Sequence, residues 1–249
     1  MKKFIPLIGI VAIIVIWLVV DFSHIFRPLF WPSFFSVLKS IFDSFIISGD
    51  GWVQVGPTLY RTLFGFVLAG IFAVPLGIMI GASRVVYSAT EMVIDFFRSL
   101  PVIAIFPLFL LVFGLGDTAK IALAVFFSFW VILVNSIYGV WHSSALRKTV
   151  GKVFGANKFQ LLKEIIFPDA LPHVFVGLRI ALSFSLLVVV ASEMFIGTNY
   201  GIGQKIFNSY MTFRTPDLYA YIIIAGMLGY ALNKIFYIFE RRVVHWSGK

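Results

Sequence analysis

Among the charged residues that stand inside otherwise apolar runs of this chain are Arg98, Arg179 and Glu193. A charge in such a setting is costly, so it is kept where it lines an ion path, pairs with another helix or snorkels to a headgroup. Arg98 has Asp95 one turn earlier as a ready partner. The hydropathy pattern puts both arginines near the inner ends of their spans and Glu193 near the outer end of its own. An arginine facing a central cavity would favour an anion, whereas one reaching back to the headgroups would have no such role; the residues leave both readings open. Little other chemistry is legible. There is no Cys, which excludes disulfides, thiolate zinc sites and cysteine nucleophiles. His24, His142, His173 and His245 lack metal-ligand spacing. No G-x-x-x-x-G-K-[ST] phosphate loop, H-E-x-x-H or Ser/His/Asp arrangement occurs. The chain is therefore expected to be no enzyme and to hold no catalytic residue, metal or cofactor. Energy for any transport must come from outside it.

Backbone punctuation marks one further region. Pro101 and Pro107, with Gly114 and Gly116 beyond, predict a bent span, and broken helices often border translocation paths, although kinking for packing alone gives the same pattern. Arg98, Pro101, Pro107 and Glu193 are thus the candidate path residues. Gly65, Gly70, Gly77 and Gly81 predict close-packed faces between helices.

The elements that must position these residues follow from composition. Of 249 residues, 60% are hydrophobic and only 12% charged, about half the charged share of a soluble domain, so lipid must cover part of the surface. Apolar runs predict an all-α integral membrane protein forming a single domain over 1–249. About six transmembrane helices are expected, at 4–20, 59–82, 93–113, 119–140, 174–196 and 218–239. The first, preceded by Lys2 and Lys3, is expected to be a retained anchor, since its core is long for a signal peptide and no A-x-A site follows. Residues 33–47, with Phe34, Leu38, Ile41, Phe42 and Phe45 at helical spacing, predict an amphipathic helix at the outer interface, followed by a turn at 48–51. With a cytoplasmic N-terminus, the inner segments hold eleven Lys and Arg and the outer segments six, which predicts both termini inside. The net charge of +9 then marks cytoplasmic loops and anionic headgroups rather than nucleic acid.

Residues 142–173 are unlike a plain connector. One amphipathic helix is expected over 145–154, with Leu146, Val150, Val153 and Phe154 on one side, and a second over 157–166, with Phe159, Leu162, Ile165 and Ile166 as a stripe. Gly155 permits a sharp turn between them. Pro168 and Pro172 are expected to end the second helix and stiffen the return into the next span. An apolar stripe beside water needs a partner, either the underside of the protein itself or a groove on a cytoplasmic subunit. The residues alone do not choose.

A resemblance does. Gly155, Ile165, Phe167, Pro168, Ala170 and Pro172, followed by Gly177-Leu-Arg-Ile, are similar to the "EAA" signature of membrane subunits of ATP-binding-cassette importers. The likeness is greatest to permeases for nitrate, sulfonates and taurine. It covers nearly all of 30–246 and includes Trp31-Pro32-Ser33, Thr58-Leu-x-Arg61-Thr-Leu-x-Gly65-Phe, Pro75-Leu-Gly-x-x-x-Gly81, Phe97-Arg98-x-x-Pro101-x-x-Ala104-x-x-Pro107, Phe113-Gly-x-Gly116, Ala191-x-Glu193-Met, Gly201-x-Gly203 and Glu240-Arg241-Arg242. The Glu-Ala-Ala triplet itself would fall at Thr149, Val150 and Gly151, and none of the three matches. The resemblance implies a type I importer permease fold in the inner membrane. It implies a cytoplasmic coupling loop, with Val150, Val153, Phe154, Gly155, Phe159 and Pro168 as ATPase-coupling residues. It also implies a separate cytoplasmic ATPase, a periplasmic or lipid-anchored solute-binding protein and a second permease copy, with alternating access for a small solute such as nitrate, taurine, a sulfonate or a vitamin precursor. The alternative, an ATPase-independent secondary transporter or channel, predicts charged coupling sites at the midplane.

Overall fold

The computed structural model describes residues 5–23 and 25–245, and those residues are helical with short connections and no strand. Hydrocarbon leaves backbone N–H and C=O groups no water to bond, so a chain this apolar satisfies them within helices. In order these are α1 (Ile5–Ser23), α2 (Phe34–Phe42), α3 (Asp50–Gly81), α4 (Arg84–Arg98), α5 (Phe106–Phe113), α6 (Asp117–Trp141), α7 (Ala145–Val153), α8 (Lys158–Gln160), α9 (Phe167–Ile196), α10 (Ile202–Met211) and α11 (Thr215–Val243). Lys2, Lys3 and Lys249, which enter the charge count, and His24 lie outside the described residues.

Four elements are long and apolar enough to cross a membrane: α3, α6, α11 and the continuous stretch Lys158–Ile196. The pair α4 and Ile103–Phe113, bent by 88°, passes the same test only together, as a broken span or a re-entrant loop, and counts as a fifth where the pair is one span. At about 1.5 Å per residue, the 19 residues of α1 match the hydrocarbon thickness of about 30 Å, and α1 is the candidate for a sixth.

The core is α3, α6 and α9. Glycines let α3 and α6 approach closely: a Cβ on Gly65 would stand 2.6 Å from Ala124 Cβ, and one on Gly77 2.7 Å from the Leu133 carbonyl oxygen. Ile132, Leu133, Ile137, Ala181 and Leu182 fill the centre. Helix α11 packs on α9, with α10 beside both, and α2 lies across α11, where Ser40 donates to Asp217 at 2.5 Å. Helix α1 touches this body near its C-terminal end, where Trp17 meets Trp31, Phe34 and Tyr219 at ring separations of 5.4–6.1 Å. The end of the bundle bearing Gly81, Trp141 and Phe167 is the loop end; the other is the far end.

Several expected boundaries are corrected. Helix α3 starts at Asp50, well before residue 59, and the expected turn ends at Gly49, where φ is +68°. The polar first turns of α3 are bonded inside the protein, which hydropathy cannot register. The third span is not one bent helix over 93–113: α4 begins at Arg84, ends at Arg98 and turns sharply before α5. Ser99 ends it, its hydroxyl donating back to Asp95 O and Phe96 O at 2.8 and 2.9 Å, and Pro101 offers no N–H to continue. The second loop helix is not separate. It runs through a wide π turn (Leu161–Ile166) straight into α9. Pro168 follows directly on that wide turn, and Pro172 stays inside the helix rather than ending it. In α2, Val37 and Ser40 form the buried face, while Leu38 and Phe42 of the expected stripe face outward.

Candidate coupling loop and transport path

The loop end carries a braced hairpin. Ser144 caps α7, its hydroxyl accepting the Arg147 N–H at 3.3 Å. Asp169, in the first turn of α9, accepts the Ser144 N–H at 3.1 Å and pairs with the Arg147 guanidinium at 2.8 Å. Helix α7 ends at Val153 with Phe154 as its C-cap, and Gly155 turns the chain with φ +80°, a region that L side chains avoid. Asn157 and Gln160 then form a reciprocal capping box that starts α8. Leu161 is buried, and Leu162 and Ile166 pack with Ile78, Val140 and Ala170 of the core helices. Gly151 lies so close to this turn that a Cβ there would reach Ile165 Cδ1 at 2.5 Å. The two apolar stripes therefore part company. Leu162, Ile165 and Ile166 cover the protein's own underside, while Val153, Phe154 and Phe159 point away from it, 80%, 86% and 70% exposed. Leu146 is exposed with them, Val150 is about half exposed, and Pro168 is half buried.

At the far end a polar knot ties four elements together. Arg61 of α3 donates to Glu193 of α9 at 2.5 Å, to Asp117 of α6 at 2.9 Å and to the Tyr200 carbonyl at 2.9 Å. Glu193 has no exposed surface; it also accepts the Thr58 hydroxyl and the Gly203 N–H, both at 2.9 Å. Thr58 in turn accepts the Ile202 N–H, and Gln54 accepts the Gly201 N–H. Side chains at 201 or 203 would collide with Glu193. Lys120, also fully buried, donates to the Gly116 carbonyl at 3.0 Å.

The remaining path candidates lie between these ends. Arg98 closes α4, with its Nε 3.4 Å from Asp95 Oδ1, and borders a cavity of about 310 Å³ against the middle of α6. The expected inner-end position of Arg98 is corrected: α4 starts near residue 84, so Arg98 finishes the helix instead of entering it. Arg179 is not beside it; it pairs with Glu240 of α11 at 3.5 Å. Pro101 lies in the break after α4, and Pro107 in the first turn of α5.

Residues 73–246 match the family described as "binding-protein-dependent transport system inner membrane component". The chain belongs to that family. It is 28% identical over 244 residues to a nitrate import permease protein of Synechocystis sp., a match covering 96% of this chain and 88% of the relative. It is likewise 28% identical over 249 residues to the taurine transport system permease protein of Escherichia coli, covering 97% and 90%. In fold it resembles a chain of the inward-facing MetNI methionine ABC transporter, with a TM-score of 0.68 at 17% identity, covering 79% of this chain and 97% of the other. The protein is thus a multi-pass inner-membrane permease subunit of an ABC importer. It is a transport subunit and not an enzyme, and it works with a separate ATPase and a binding protein.

Sequence reasoning about the permease missed the centre of the far-end knot. Arg61 and Lys120 enter the sequence reading only through the outer-segment charge count and, for Arg61 with Thr58, a family motif, while Gln54 and Asp117 are not named in it. A signal was present. Thr58-Leu-x-Arg61, Glu193 and Gly201-x-Gly203 all fall at far-end positions of their elements, with one cation and one anion among them. Paired charges of opposite sign at one depth are a reason to join helices.

Proposed function

We propose that two copies of this permease pair to form the transport path, with the loop end in the cytoplasm, both termini inside and the far end toward the binding protein. The ATPase docks on Val150, Val153, Phe154 and Phe159, with Gly155 setting the turn and Pro168 the entry into α9. Closure of the ATPase dimer moves the hairpin, and α9 carries that movement to the far end. Arg98, Pro101 and Pro107 border the path, and Glu193 braces its outer edge rather than touching solute. The solute is small and anionic, as are those named for the nitrate and sulfonate relatives. The observation that carries this reading is the outward apolar face of a hairpin braced from behind by Arg147 and Asp169.

The test is co-purification. Gly155→Val and Phe154→Ser permeases are expected to lose ATPase association and solute-stimulated ATP turnover; unchanged assembly and uptake would overturn the docking role. Because the natural chain lacks Cys, single cysteines at Val153 and at Leu115 report sidedness directly. A membrane-impermeant maleimide added to whole cells is expected to label Leu115→Cys and spare Val153→Cys.

A further inference from the structure

Helix α4 is less apolar than the long helices of the core, and its polar residues are not scattered. Tyr87, Glu91, Asp95 and Arg98 follow one another at spacings of four, four and three, which places them on one face. With Ile94, Val134, Ile137 and Tyr138 they line a narrow cavity of about 140 Å³. It meets the larger cavity at Arg98, which borders both. Just beyond Arg98 the backbone of residues 99–102 leaves the helix. Non-helical backbone at membrane depth is tolerated only where protein or water covers it, so this corner does not face lipid.

The larger cavity has a defined chemistry. Arg98 is its one charged lining residue, and the guanidinium has no polar partner but Asp95 among the described residues, at a separation too long for a strong bond. Trp130, on the wall, has a buried indole N–H without a hydrogen-bond partner. Its ring is fixed by Phe97, stacked at 5.1 Å and 7°. Asn135 donates one amide N–H to Val131 O at 2.8 Å and has a second. Phe127, Val131 and Phe184 supply an apolar wall. The cavity thus carries one cation and one amide donor on a lining that is otherwise hydrocarbon. Its volume lies at the lower end for small-molecule pockets, and a four-atom oxyanion would fill only a fraction of it.

We propose that this cavity is a solute-contact site within the permease for a small organic monoanion, its carboxylate or sulfonate head on Arg98 and its apolar body against Phe127, Trp130, Val131 and Phe184. The proposal rests on the importer reading and adds a selection step inside the membrane. The guanidinium fork matches a planar or tetrahedral oxyanion through charge-assisted bonds. The apolar wall rewards each buried methylene, so the site ranks an organic anion above an inorganic one. A cation would meet the repulsion of Arg98.

The test uses the purified full-length permease in lipid nanodiscs, titrated with pentane-1-sulfonate at constant ionic strength. Tryptophan fluorescence and calorimetry are the readouts. Saturable binding is expected, weakened about tenfold or more by Arg98→Ala and less by Arg98→Lys, in line with loss of a charge-assisted bond. Phe184→Ala is expected to weaken pentane-1-sulfonate while leaving the weak competition by nitrate unchanged. Pentan-1-ol and pentylammonium are expected not to bind in the same range. The site is overturned if no saturable binding occurs, if Arg98→Ala binds as tightly as the natural chain, or if nitrate or pentan-1-ol matches the sulfonate. Co-purification of the natural permease with its ATPase is scored separately. Its failure removes the importer reading, whereas intact ATPase binding with an ineffective Arg98→Ala removes this site alone.

Discussion

Arg61 of α3 donates to Glu193 of α9 across the core at 2.5 Å, and neither side chain has more than a sliver of exposed surface. Removing one partner strands the other charge. Arg61→Ala is therefore expected to cost about 3–5 kcal/mol, whereas Arg61→Met combined with Glu193→Leu recovers much of the loss. Thermal unfolding in detergent, followed by loss of a monodisperse elution peak, separates the two. Equal melting of single and double variants would show that the pair contributes nothing.

Gly77 sits where α3 meets the backbone of α6 at Leu133. Gly77→Val forces the helices apart, because a carbonyl oxygen cannot swing aside as a side chain can. A destabilisation of about 2 kcal/mol or more, or loss of folded yield, is expected. Gly226→Ala in α11 has open space around the new methyl and gains helix propensity, so its melting point is expected to hold or rise slightly.

Gly151 and Gly155 differ in kind. The atoms crowding Gly151 are the far ends of Ile165 and Leu161, which can rotate, and the residue lies inside α7. Gly151→Ala is expected to stay within about 1 kcal/mol of the natural protein, crowding being offset by helix propensity. Gly155→Ala, in open space but at φ +80°, is expected to cost about 1–2 kcal/mol from backbone strain alone. Melting curves of the two variants decide the ordering.

Arg147→Ala removes a brace that is mostly exposed on the arginine side. Its effect on stability is expected to be below about 1 kcal/mol. Solute-stimulated ATP turnover is expected to fall more than ATPase association, because α7 can still be gripped but no longer passes force squarely to Asp169. Turnover equal to that of the natural permease would show that the pair is ornamental.

Much of this architecture was legible beforehand where a long apolar run met few breaks. Helix α6 was expected at 119–140 and spans Asp117–Trp141; the hairpin turn at Gly155 was likewise visible from one glycine between two amphipathic stretches. What stayed hidden depended on partners distant in sequence. Gln54 and Thr58 look like an outer loop, and Arg61 like the first turn of a span, until Glu193 and the Gly201–Gly203 backbone arrive to bond them. Pro172 looks like a stop, yet α9 runs on through it. The amphipathic stripe of residues 157–166 could not declare which side chains would cover the protein and which would be left for another subunit. That division is set by Gly151, which draws α7 onto Leu161 and Ile165.

The run Lys158–Ile196 is 39 residues long, about 58 Å if straight, nearly twice the hydrocarbon thickness. On the docking proposed above it would work as a crankshaft: Phe159 at the gripped end and Glu193, seated on Arg61 of α3, at the other belong to one forging, with no slack loop between them. Opening the mouth on one side and repositioning the grip on the other thus become a single stroke, and any lost motion has to arise in the wide turn at Leu161–Ile166, which makes that turn the place where an evolving lineage would tune how far each ATP moves the gate.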